Sequence, residues 1–373
     1  MKLRFAVVAG VLLLAALGGA QTKADAKTEA KTDTKIEVGE INHAKFRIDV
    51  PTNWNHGLVI YCHGYSADPV SYTQKELSKV LAVFVKQGYA LAQSGYSSGG
   101  WAVEQAIPDT EALRRYFIDK YGKPKETYIT GHSMGGFITM AMVEKYPEIY
   151  DAGLALCGPL ARASWFMQRP FDFRVVFDYY FPEALPNPAK VPADYKMSDD
   201  LRKKIKKLLD SKKEASAAMR RLTELKNNTD LANGLVFGTY VLKDLQQRAG
   251  GNPFDNRYTI YTGTPDDNAV NDKVQRYAAD PGTLDYLERY YSPTGQLARP
   301  ILAIHTTYDP TVSPSIPNMY VLLTREAGKG DLFVQHYVKH DGHCNITPEE
   351  TEHGFSELRQ WKDKGERPAA GGQ

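Results

Sequence analysis

Residues 131–136 read GHSMGG and residues 95–100 read GYSSGG, and each contains the pattern Gly-x-Ser-x-Gly. This pattern can present a serine hydroxyl as a nucleophile toward a carbonyl carbon when the serine sits on a sharp strand-to-helix turn. A serine hydroxyl is weak near neutral pH. A base must take its proton during attack, and a carboxylate must fix the tautomer of that base. Such chemistry therefore needs a serine, a histidine and an acid that are distant along the chain and able to meet in space.

The two serine motifs differ in what surrounds them. KETYIT (125–130) leads into GHSMGG as a strand, and Phe137, Ile138, Met140, Met142 and Val143 give the following residues a helical face to bury. A helix starting at the serine also directs backbone N–H groups toward the reacting oxygen. GYSSGG instead leads into Trp101 and Pro108, which predicts no helix start. It reads as a glycine-rich loop at the end of a neighbouring strand. Ser133 is the candidate nucleophile, and Ser97 and Ser98 are set aside.

The wider pattern supplies the elements that must hold such a site. GLVIYCHGY (57–65), GYALAQS (88–94), KETYIT and YDAGLALCG (150–158) read as strands. Helical spacing appears over 74–87, with Leu77, Val80, Leu81 and Phe84 on one side, and over 109–122. This alternation implies an α/β fold with a parallel sheet and crossover helices. It breaks near residue 159, and up to about 295 the chain reads as helices and loops; strands then return with RPILAIHTT (299–307) and DLFVQHYVKH (331–340), and 348–364 reads as a closing helix.

On these residues the chain resembles the α/β-hydrolase superfamily, over about 40–158 and 296–365. The resemblance implies a mostly parallel central sheet flanked by helices, and a triad in the chain order serine, acid, histidine. HTTYDPTVSP is similar to the family's acid loop, which makes Asp309 the acid. Asp341 is the rival, but it lies two residues from the histidine and too close along the loop to reach around the ring. HDGHCNIT, after the last strand, makes His343 the base. His336, His340 and His132 are set aside, His132 as a residue that packs or bonds locally. The CHGY segment resembles the family's oxyanion-hole turn, which implies the Tyr65 and Met134 N–H groups as donors and a structural His63. The fold also implies that the insertion acts as a lid over the site.

The resemblance thus implies the domains 37–158 and 296–373 as core and 159–295 as lid. It implies carboxylic ester hydrolysis of a small-molecule substrate without cofactor or metal. GHSMGG is similar to monoglyceride lipases and carboxylesterases, and the aromatic lid resembles secreted feruloyl-esterase-like proteins. A peptidase of the proline-iminopeptidase or prolyl-oligopeptidase type is the alternative; the former needs acidic lid residues such as Glu183, and the latter a propeller for which the chain has no room. SWFMQRPFDFRVVFDYYFP (164–182) supplies lid aromatics, most of them expected to pack the lid. Trp101, Trp165 and Phe166 are the candidates for substrate contact. The run LRKKIKKLLDSKK (201–213) predicts a solvated helix with one buried side.

The bulk composition fits this reading. Apolar residues make up 42% and charged residues 24% of 373, with a net charge of +2, so nothing points to nucleic acid. MKLRFAVVAGVLLLAALGGA (1–20) reads as an export signal, too short in its apolar run for a comfortable span, and 21–36 as a solvated tether. The expected location is outside the cytoplasm, with no membrane span in the mature chain. Three cysteines, Cys62, Cys157 and Cys344, permit one disulfide at most, and buried free thiols are expected.

Overall fold

The computed structural model describes residues 33–372. The export signal and residues 21–32 of the expected tether lie outside the described residues. The strands are β1 (Thr34–Ile41), β2 (Ala44–Pro51), β3 (Gly57–Cys62), β4 (Ala90–Ser94), β5 (Glu126–His132), β6 (Ala152–Leu156), β7 (Ile301–Tyr308), β8 (Phe333–Asp341) and β9 (Gly371–Gly372). They form one sheet in the order β1-β2-β4-β3-β5-β6-β7-β8-β9. From β4 through β3 to β9 all pairings are parallel, while β1 and β2 join antiparallel at one edge.

Parallel strands covered on both faces read as continuous apolar runs. That is why GLVIYC, ALAQS, AGLAL and ILAIHTTY were legible as strands. Helices α1 (Lys79–Lys86), α2 (Val103–Tyr121) and α3 (Met134–Lys145) cross between the strands of the first half. The sheet separates two apolar clusters. Phe117 of α2 and Phe137 of α3 belong to one, Phe84 of α1 to the other.

Between β6 and β7 the chain leaves the sheet and forms only helices: α4 (Ala163–Tyr180), α5 (Asp199–Ser211), α6 (Lys213–Thr223), α7 (Asn228–Ala249), α8 (Asp267–Lys273) and α9 (Tyr286–Arg289). This is the expected helical insertion. The basic run forms α5 and the start of α6, with Ile205 and Leu209 buried and the lysines outward. Phe171, Phe177 and Phe181 are fully buried packing residues. Helices α10 (Asn318–Glu326) and α11 (Pro348–Lys364) complete the core, and α11 carries Phe355 and Trp361 into the Phe84 cluster.

Four expectations are corrected. The expected tether overruns the sheet, because β1 begins at Thr34 and pairs with β2 along its whole length. Its polar alternation is that of an edge strand with one face outward, which composition alone does not separate from a solvated linker. The helix expected from 74 begins at Lys79, where the Ser78 side chain caps it. The helix expected from 109 starts at Val103 and runs through Pro108, held by the buried Val103, Ala106 and Ile107. Cys157 and Cys344 are bonded to each other across a separation of 187 residues, and only Cys62 is a free buried thiol.

Candidate active site

Strand β5 ends at His132, and α3 starts at Met134; Ser133 lies between them with φ 56° and ψ −122°. A non-glycine residue in the left-handed region is uncommon and strained, and here the surroundings enforce it. The Ser133 N–H donates to Leu156 O at 2.9 Å, and its carbonyl accepts from Gly136 N at 2.8 Å. A Cβ on Gly131 would collide with the carbonyl oxygens of Gly135 and Cys62, and one on Gly135 with the Cys62 carbonyl. The flanking glycines are therefore required by close backbone approach on both sides of the turn.

The structure brings three of the expected side chains into one hydrogen-bonded chain. Ser133 Oγ lies 2.9 Å from His343 Nε2, and His343 Nδ1 lies 2.7 Å from Asp309 Oδ2. With Nδ1–H donating to the carboxylate, Nε2 is left to accept the serine proton. Asp309 Oδ1 accepts the N–H groups of Thr311 and Val312 at 2.8 and 2.9 Å. His305 Nε2 donates to Val312 O at 2.9 Å and stands 3.4 Å from Asp309 Oδ2. Burial pushes the Asp309 carboxyl upward, but hydrogen bonds from His305, His343 and Val312 outweigh it and hold the group well below the ordinary carboxylate range.

The rejected candidates have other partners. Asp341 pairs with Lys226 at 2.8 Å, and His340 with Glu350 at 2.9 Å. His336 Nε2 donates to Ala369 O at 2.7 Å. His132 Nδ1 and Tyr61 OH share a hydrogen bond of 3.2 Å, and burial together with the nearby His343 lowers the His132 pKa to about 4. Ser97 donates from both N–H and Oγ to Asp109, at 2.7 and 2.8 Å.

The 63–65 loop packs against the nucleophile turn. A Cβ on Gly64 would lie 3.3 Å from Ser133 Cβ. His63 donates from Nδ1 to Gly64 O at 2.7 Å and stacks on Tyr96, as expected of a structural residue. Met134 is the first residue of α3, so its N–H is among those with no acceptor within the helix. Tyr65 follows Gly64, and its hydroxyl donates to Asp244 of α7 at 3.1 Å.

A sequence model of the α/β hydrolase fold matches residues 57–338. The chain belongs to that family. Among curated proteins, an o-phthalyl amidase from Xanthobacter agilis is 25% identical over 170 residues, which span 44% of this chain and 36% of that one. The chain thus matches about a third of that relative's length. Among solved structures, an acylaminoacyl peptidase of Pyrococcus horikoshii is similar over 90% of this chain and 42% of its own, with a TM-score of 0.50 and 13% identity. An esterase of Pyrococcus furiosus is similar over 89% of this chain and 92% of its own, with a TM-score of 0.48 and 14% identity. At 13% identity the likeness to the acylaminoacyl peptidase speaks for the fold alone.

In this α/β hydrolase a cavity of about 840 Å³ opens over Ser133 and His343, between the sheet's carboxyl end and the helical insertion. Trp101 and Phe166 line it, and their rings meet edge to face. Trp165 does not line it: at 39% exposure it lies outward, with the Arg169 guanidinium over its ring. Trp165 and Phe166 are neighbours on α4, and the helix rotates about 100° from one residue to the next, which a run of aromatics in sequence does not reveal. Glu183 lines a separate cavity with Asp178 and Tyr277 and not the one over Ser133.

Sequence reasoning missed three features of the site. His305 lies four residues before Asp309 on β7, a spacing that could have marked it as a support for the acid. Asp244 gave no signal; its carboxylate accepts from Tyr65 OH, from Trp101 N at 2.7 Å and from Arg248 at 2.9 Å. It abuts Gly100 (φ 72°), where no side chain would fit. The third feature is the disulfide, whose Cys344 sulfur rests 3.4 Å from His343 Nε2.

Proposed function

We propose that this α/β hydrolase cleaves carboxylic esters through an acyl-enzyme intermediate. The observation that carries the reading is the continuous chain Ser133 Oγ, His343, Asp309 on a strained turn facing the cavity. Ser133 attacks the ester carbonyl while His343 accepts its proton through Nε2. Asp309 holds the ring's tautomer and stabilises the imidazolium. The Tyr65 and Met134 N–H groups receive the tetrahedral oxyanion, and Asp244 steadies the Tyr65 side. His343 then protonates the leaving alcohol, and water repeats the sequence to release the acid. The insertion 159–295 acts as the lid, and the chemistry asks for no cofactor.

Feruloyl-type esters are the proposed refinement, supported by the aromatic wall of Trp101 and Phe166. Amide bonds are the second reading, favoured by the similarity to the amidase over 170 residues. A panel of p-nitrophenyl esters, methyl ferulate and amino-acyl amides separates them. Ester turnover well above amide turnover is expected, and cleavage of amides with no ester hydrolysis refutes the ester reading.

The bridge Cys157–Cys344 ties the loop of His343 to the end of β6, next to the strand that carries Ser133. Misplacing a catalytic group by about 1 Å can cost roughly 100-fold in rate. Cys157→Ser, or treatment with a thiol reductant, is therefore expected to lower kcat/KM by about 10- to 100-fold with far-UV circular dichroism unchanged. A bridge closing so long a loop also contributes about 2–5 kcal/mol to stability, so Tm should fall as well. Full activity in the reduced protein at a temperature well below its Tm refutes this positioning role. The same bridge supports the proposal that the protein works outside the reducing cytosol.

A further inference from the structure

We infer that Gly234 is a specificity-determining position, and that it opens an arm of the cavity for an elongated apolar group on one side of the scissile carbonyl. The inference rests on the hydrolytic reading above.

Helix α7 supplies much of the cavity wall, with Asp230, Gly234, Phe237, Gly238 and Val241 among its lining residues. These positions recur at the helical period and form a single stripe. Opposite them stands α4, with Phe166, Pro170 and Phe173 also in the wall. The two helices pack tightly at Gly238, where an added Cβ would lie 3.3 Å from Pro170 Cβ. One turn earlier the situation reverses. At Gly234 an added Cβ would meet one atom, Leu225 Cδ1, at an ordinary van der Waals distance of 3.9 Å, so a side chain there would find room.

Both glycines interrupt a 22-residue helix, where glycine is less favourable than alanine. Close packing accounts for Gly238. It does not account for Gly234, whose lack of a side chain leaves room in the cavity. The arm begins near Phe237, whose ring meets Tyr65 edge to face beside the nucleophile turn. It runs toward Asp230, seven residues away along the axis, or about 10 Å at ~1.5 Å per residue. An extended chain advances roughly 1.2 Å per bond, so about eight bonds fit that length. Leu225, Leu231 and Phe173 give its wall apolar surface, while Arg202, half-buried, and Asp199, exposed, pair at 2.7 Å and also line the cavity. The occupant is thus a medium-length alkyl chain or an aryl-alkyl group of similar reach.

The test compares p-nitrophenyl esters from C2 to C12 on the wild type, Gly234→Ala and Gly234→Leu. The C8-to-C2 ratio of kcat/KM should fall at least tenfold in Gly234→Leu and by a smaller factor in Gly234→Ala. The alanine variant should also melt a few degrees higher, since it adds a helix former where a side chain finds room. An unchanged ratio in both variants overturns the inference. Calorimetric binding of p-nitrophenyl octanoate to Ser133→Ala, with and without Gly234→Leu, reads the arm without turnover. Weaker binding in the double variant supports the arm even if the ester reading fails, and equal binding rejects it.

Discussion

Ser133→Ala is expected to lose on the order of 10⁴- to 10⁶-fold in kcat for whichever acyl substrate the protein turns over best. In the proposed mechanism this hydroxyl forms the acyl-enzyme, and its neighbours are otherwise engaged. Ser97 is committed to Asp109 through both its N–H and its Oγ. His132 is half-buried and hydrogen-bonds with Tyr61 through Nδ1. The fold should survive, because Ser133 holds its turn through backbone bonds to Leu156 and Gly136 that alanine keeps. Alanine at φ 56° also carries no greater steric penalty than serine. A burst of p-nitrophenol at acyl-enzyme formation, present in the wild type and absent in the variant, gives the direct measurement. Wild-type turnover in a folded Ser133→Ala protein defeats the assignment and turns attention to Ser97 and Ser98.

Asp309→Asn comes next, with an expected loss of roughly 10⁴-fold in kcat. The amide is nearly the shape of the carboxylate, so the effect is electronic. An Asn Nδ2 facing His343 Nδ1 would donate where Asp309 accepts, placing the imidazole proton on Nε2 and leaving no acceptor for the serine hydroxyl. The native carboxylate is held ionised far into acid, so no loss of activity above about pH 4 is due to its protonation. The sign for stability follows from the same shift. A carboxyl depressed in the folded state contributes stability that is complete above its unfolded pKa of about 3.9 and vanishes as pH falls through the folded value. The Tm difference between wild type and Asp309→Asn should therefore stay constant from neutral pH to about pH 5 and shrink only in strong acid. A difference that shrinks between pH 7 and 6 contradicts this account.

How much of this was readable in the sequence follows from range. The turn at GHSMGG was legible because its constraints are local: glycines that cannot carry a side chain, an apolar strand before, a buried helix after. Asp309 and His343 lie 176 and 210 residues from Ser133, and that they meet it in space could be expected only because the family's order and its loop signatures could be laid on HTTYDPTVSP and HDGHCNIT. Contacts without a signature stayed hidden. Asp244, on a helix of the insertion, fastens the 65 and 101 loops by meeting them in space. The cysteine pair is invisible for the same reason, since nothing local says that the end of β6 touches the loop after β8. The segment GGNPFDNRYTIYTG (250–263) carries no helical or strand periodicity. Its order comes from buried asparagines: Asn252 donates to Phe254 O, and Asn256 to Tyr261 OH and Gln275 O. Side chains that bond their own loop leave no periodicity to read.

The bond between Cys157 and Cys344 makes the intervening chain a covalent ring that holds the whole insertion together with the acid loop. Tyr258, 88% exposed, marks a point on that ring open to a protease. A single nick there would yield one fragment bearing Ser133 and another bearing Asp309 and His343, yet the two would remain one molecule, fastened beside the imidazole itself. Only reductant would let the halves part.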